Sequence, residues 1–170
     1  MSDPVGELLD SLRERKWRVV TTDRPMPVPA SVVERFGEVP ADYAMFLERV
    51  ATCVSPDETV WFLTSEEFHG HAASAFKWND FELQSLEAAA GDSPWMEEVQ
   101  AFWSKHLPIL ISVKSGYAYL ALKVDDGTIV HGREPEYEDV ELVSDSFAAF
   151  CRTLTKGPAR LPEVVAQMLA

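Results

Sequence analysis

The stretch from Leu107 to His131 constrains the fold more than any other part of the chain. It reads as an apolar run, Leu107 to Val113, then a second run, Tyr117 to Val124, then Asp125-Asp126-Gly127 and a return run, Thr128 to His131. Asp126-Gly127 supplies the positive φ of a hairpin turn, either a type I′ turn or a G1 bulge. Strands that follow one another through such turns argue for an antiparallel sheet, not for parallel βαβ units. Val140 to Val143 adds a short strand after it, and Thr59 to Thr64, β-branched and aromatic, is a strand ahead of it.

Helices dominate the first half. Asp3-Pro4 reads as an N-cap followed by proline at the first helical position. Val5, Leu8, Leu9 and Leu12 then fall on one helical face. Arg13, Arg15, Lys16 and Arg18 are expected to close that helix, where cations suit its dipole. Pro25, Pro27 and Pro29 force an extended stretch. Ser31-Val32-Val33-Glu34 has the form of a capping box, so a short helix is expected from Ser31 to Gly37. Pro40 opens the next, with Tyr43, Phe46, Leu47 and Val50 as its buried stripe. Phe81 to Ala90 and Ser93 to Trp103 give two more helices. Ser146 to Leu154, with Phe147, Phe150, Cys151 and Leu154 on one face, and Leu161 to Leu169 close the chain. The expectation is one α+β domain over residues 1–170, a central, mostly antiparallel sheet packed with helices.

Composition fits one globular domain of 170 residues, with 46% hydrophobic and 25% charged residues. No apolar run reaches the ~20 residues of a membrane helix. Met1 to Asp10 lacks the basic start and apolar region of a signal peptide. Two cysteines, Cys53 and Cys151, are too few for a disulfide scaffold. These features predict a cytoplasmic protein with reduced, buried thiols and no membrane partner.

Charge is the unusual property, with a formal net charge of −13. Residues 50–104 hold one base, Lys77, against ten acids, and residues 134–145 hold six acids and no base. Such a field repels nucleic acid and attracts basic proteins.

No catalytic motif is spelled out: the chain has no G-x-S-x-G, no P-loop, no G-x-G-x-x-G and no H-E-x-x-H. Glu66, Glu67, His69 and His71 lie close together, and a small metal-dependent hydrolase could be built on them. Gly70 and a loop-like context favour surface histidines instead. No cofactor, metal site or catalytic residue is expected.

Pro29 to Leu47 reads P-A-S-V-V-E-R-F-G-E-V-P-A-D-Y-A-M-F-L. This resembles the entry motif of the SUKH superfamily, the family of the yeast Smi and Knr cell-wall regulators, through Phe36, Gly37, Val39, Pro40, Asp42, Tyr43, Phe46 and Leu47. Leu107 to Ile111, Gly116 to Leu122, Asp125-Asp126-Gly127 and Ser144 to Phe150 resemble the family's strands, turn and closing S-F-x-x-F helix. The chain departs from the pattern at Ala51 to Pro56, where the family carries Asn-Gly, and in residues 65–105, a longer, more helical insertion. The resemblance implies a non-enzymatic binding module. Many bacterial members look like immunity proteins that neutralise a toxin, often a basic nuclease. The alternative of the same fold is a regulatory scaffold. A monomer or a dimer is compatible with either.

Together, charge and resemblance point to a basic protein partner, expected to be held by Glu134, Glu136, Glu138, Asp139 and Glu141. These acids sit between a strand and a helix in an expected loop, where binding residues collect, and Pro135 limits that loop's freedom. The second acidic stretch, Asp80 to Glu98, is the other candidate surface.

Overall fold

Asp3 starts the first element as the sequence predicts. Its carboxylate accepts the Gly6 N–H at 3.1 Å, and Pro4 follows at the position where a missing N–H costs nothing. In the computed structural model, which describes residues 2–72 and 74–170, this helix, α1, spans Pro4–Glu14 and buries Val5, Leu8, Leu9 and Leu12. It is followed by β1 (Arg18–Thr21), α2 (Ala30–Phe36), α3 (Ala41–Arg49), β2 (Val50–Val54), β3 (Val60–Phe62) and α4 (Ser65–His69). Next come α5 (Asp80–Ala88), α6 (Ser93–Trp103), β4 (His106–Ser112), β5 (Ala118–Lys123), β6 (Ile129–Arg133) and β7 (Glu141–Ser144). The chain closes with α7 (Phe147–Lys156), a 3-10 turn at Pro158–Arg160 and α8 (Glu163–Leu169).

The seven strands form one sheet in the order β1-β2-β3-β4-β5-β6-β7, every neighbour antiparallel. The domain is therefore α+β with an antiparallel meander. The Asp-Gly turn joins no neighbours across a crossover: Lys123 N–H donates to the Thr128 carbonyl at 2.8 Å, and Gly127 takes φ 78°, a conformation that suits glycine. Pro108 lies inside a central strand, where a missing donor is usually excluded. A bulge between Pro108 and Leu110 accommodates it.

Both sheet faces are covered over β4 and β5, whose central residues are buried without alternation. One face carries Phe62, Leu110 and Leu120 in register and packs under α1, α3 and α7. There Phe62 lies 5.4 Å from Phe46 and 6.0 Å from Trp17, centroid to centroid. Tyr43, Phe46, Leu47, Ile109, Ile111, Phe147 and Phe150 are all buried, as expected. The Asp42-Tyr43 pair joins the two halves of this layer. Asp42 Oδ2 accepts the Ala148 N–H at 2.8 Å near the start of α7, and the Tyr43 hydroxyl donates to the Leu63 carbonyl at 2.9 Å. The opposite face carries Trp61, Ile111, Tyr119 and Gly132 in register and is covered by α5 and α6. Gly132 is required there, because a Cβ would stand 2.5 Å from the Tyr119 hydroxyl oxygen.

Several local expectations shift. Arg18 does not close α1: the helix ends at Glu14, Lys16 takes φ 67°, and Arg18 enters β1. Ser31 is not the cap of α2. Pro29, at φ −54° and ψ 141°, is the cap residue, and its carbonyl accepts Val32 N–H at 3.0 Å. Val50 begins β2 directly after α3, an edge the α3 stripe conceals. Residues 65–69 form a helix that ends at Gly70 in the left-handed region. Residues 65–105 contain three helices, α4, α5 and α6, of which α5 and α6 cover one sheet face. No helix among the described residues is long and apolar enough to cross a membrane.

Candidate functional site

The loop between β6 and β7 holds the acidic residues singled out by sequence, and its centre is fixed by its own inward-facing side chains. Tyr137 is buried and stacks on Phe81 at 4.8 Å between centroids. Its carbonyl accepts the Tyr119 hydroxyl, and its own hydroxyl donates to Gln84 Oε1 at 3.0 Å. Glu138 turns inward too: Oε2 accepts Ser85 Oγ–H at 2.8 Å and Trp103 Nε1–H at 3.0 Å. The loop is thereby tied to β5, α5 and α6 through four hydrogen bonds.

Glu134, Glu136 and Asp139 stand on the outside of this frame, all exposed. Glu141 lies on β7, exposed, with Oε1 3.3 Å from Nδ1 of the buried His131. Burial lowers the His131 pKa below the usual histidine value, with the Glu141 charge opposing. The five residues expected to bind a partner are therefore not equivalent. Glu134, Glu136 and Asp139 present free carboxylates, Glu141 faces a histidine, and Glu138 holds the loop. Tyr137, flanked by Glu136 and Glu138, is the sequence signal for this inward turn: it is the one aromatic in the acidic run, and its ring is buried.

Beneath the loop, a groove of about 660 Å3 runs between β6, β7 and α8, lined by His131, Arg133, Asp139, Glu141, Glu163 and Gln167 among others. Its charges are mixed, and Asp139 and Glu141 form part of its rim.

The second acidic stretch divides in the same way. Glu82 is buried and takes a bidentate pair from Arg35, at 2.7 and 2.5 Å. Glu87, Asp92, Glu97 and Glu98 are exposed, beside Leu83 at 51% and Trp95 at 43% exposure. Asp92 caps α6 through the Trp95 N–H at 3.1 Å. Large exposed apolar side chains amid carboxylates give this helical hairpin an amphipathic outer surface.

At His69 and His71 the rings stack at 5.5 Å, and His69 Nε2 contacts the Pro27 carbonyl at 2.7 Å. Among the described residues no three His, Cys, Asp or Glu side chains converge as metal ligands. Cys53 and Cys151 are buried in the core, where burial pushes both thiols up. Against known proteins, the chain matches no family model and no curated protein sequence.

Proposed function

We propose that this chain is a protein-binding module that acts without catalysis, by holding a basic protein on the carboxylates of the β6–β7 loop. In the reading that the SUKH resemblance favours, it is an immunity protein, the partner is a toxin domain, and the chain works in the cytoplasm. The observation that carries the proposal is the arrangement of the loop. Tyr137 and Glu138 anchor it, while Glu134, Glu136 and Asp139 face outward. Charges on an anchored loop lose little conformational entropy on binding. A nuclease-type partner needs a basic cleft to hold phosphates, and outward carboxylates can occupy that cleft in their place. The net charge of −13 adds long-range attraction for such a partner and repulsion of nucleic acid.

The test is co-expression with the product of the neighbouring gene. Where that gene encodes a large toxin, its C-terminal domain should arrest growth when expressed alone. Co-expression of this chain should restore growth, and the two should co-purify as a stoichiometric complex. Growth arrest that this chain does not relieve would contradict the immunity reading. A neighbour of endogenous regulatory type that forms the same complex would favour the scaffold alternative.

A further inference from the structure

An open sheet ends in two strands whose outer main-chain groups have no neighbouring strand, and here these are β1 and β7. Every second residue of such an antiparallel edge turns both its N–H and its C=O outward. Among the described residues, Glu141 to Ser144 make no backbone–backbone hydrogen bond except to β6. Neither proline nor lysine, the usual guards of an edge, stands in β7. Leu142, at 58%, is the most exposed large apolar side chain among the described residues.

Register sets what a further strand would meet on each side. Glu141 pairs with His131 and so shares a face with His131, Leu120 and Leu110. On that face the groove of about 660 Å3 runs beside β7, where three carboxylates, Asp139, Glu141 and Glu163, line it against one arginine, Arg133. Leu142 pairs with Val130 and takes the opposite face, that of Ala121. A strand laid along β7 therefore directs successive side chains alternately at carboxylates and at an exposed leucine.

The other edge repels a basic segment. β1 begins at Arg18 and is bracketed by the exposed Lys16 and Arg24. Residues 134–145, which lead into β7 and follow it, hold six acids and no base. A second copy of this chain would bring the same acidic rim against itself, so like charge opposes self-pairing along β7.

We propose that β7 is a docking edge on which an extended segment of a basic protein partner adds to the sheet, bonded through its main chain to Glu141–Ser144, with basic side chains beside Glu141 alternating with apolar ones beside Leu142. The inference rests on the reading of the chain as a binder of a basic protein and gives that reading a mode of binding next to the β6–β7 loop.

The test needs no identified partner. The probe is an end-blocked hexapeptide of alternating arginine and valine, titrated into the 15N-labelled full chain while the backbone amide signals are followed. The expected result is a saturable movement centred on Glu141 to Ser144, with slowed hydrogen exchange of the outward amides. Two control peptides keep charge and composition: one with its arginines and valines in separate blocks, one alternating but methylated on its backbone nitrogens. Each should bind about tenfold more weakly, as should the alternating peptide to Leu142→Lys, which installs an edge lysine at an exposed position. The control peptides carry the test if Leu142→Lys fails to fold. A non-saturable response, movement centred away from β7, or equal affinity for either control peptide would overturn the proposal. Self-association in sedimentation that Leu142→Lys abolishes would overturn it in favour of a second copy on this edge. Every arm retains Glu134, Glu136 and Asp139, so failure here is distinct from failure of the proposed function.

Discussion

Glu136 and Glu138 are two residues apart and do opposite things. Glu138 Oε2 satisfies the buried Trp103 indole N–H and the Ser85 hydroxyl, whereas Glu136 is solvent-exposed. Glu138→Ala should therefore destabilise the fold by roughly 1–3 kcal/mol, the usual cost of orphaning a buried polar group. Glu136→Gln should leave stability within about 0.5 kcal/mol. Urea unfolding of both variants checks the contrast. The buried histidines give a second prediction at this scale. His131 and His106 both have pKa values lowered by burial from the ordinary 6.5; Glu141 opposes the shift at His131, and a bond to the Phe102 carbonyl opposes it at His106. Well above 6.5 both are neutral, folded or unfolded. As pH falls below 6.5 the unfolded chain takes up protons that the folded chain resists, so stability falls. Glu67, raised in the fold, works in the opposite sense, over the interval from its raised folded pKa down to the unfolded value of 4.5. The urea midpoint should drop between pH 7 and pH 5.5, and a His106→Gln/His131→Gln variant should show a shallower drop.

Among the elements, α3 and α7 show how the sheet is roofed. Phe46 packs edge-on against Phe147 at 5.6 Å, and Phe150 lies 6.4 Å from Phe62 on β3. Phe46→Ala or Phe150→Ala should cost roughly 3–5 kcal/mol, as for other buried aromatics. Unfolding within about 1 kcal/mol of the wild type would contradict this packing. These helices were legible in the sequence because stripes at i, i+3, i+4 and i+7 report a buried face directly. The hairpin from β5 to β6 was legible because Asp126-Gly127 has few other uses. β1 and β2 were not. Arg18 to Thr21 is an exposed edge strand with no alternation of burial, and β2 follows α3 without a breaker. Helix α4 was missed because five residues are too few to set a period, and Gly70, which ends it, looks like a loop residue. At the site, the acidic run and the constraint at Pro135 were visible in the sequence, but the inward turn of Glu138 was not. Its partners, Ser85 and Trp103, lie 53 and 35 residues away, and only tertiary packing brings them near.

Across the whole molecule, carboxylates with no cation partner among the described residues recur on the side that carries α4, α5, α6 and the β6–β7 loop. Glu66 and Glu67 stand on α4, Glu87, Glu97 and Glu98 on α5 and α6, and Glu134, Glu136 and Asp139 on the loop packed against α5. Leu83 and Trp95 give the middle of this face apolar contacts of the kind that carry binding energy. Charge of one sign spread over a face accelerates encounter with an opposite partner and makes that encounter sensitive to salt. The most direct test of the account is the association rate with the basic partner proposed above, once the co-expression experiment identifies it, measured against ionic strength. Wild type is compared with the Glu134→Gln/Glu136→Gln/Asp139→Asn variant, which leaves Glu138 and the fold in place. The account predicts a steep fall of the wild-type rate with salt, and a slower, flatter response in the variant. Coincident salt slopes with unchanged affinity would contradict the assignment of the loop as the binding surface.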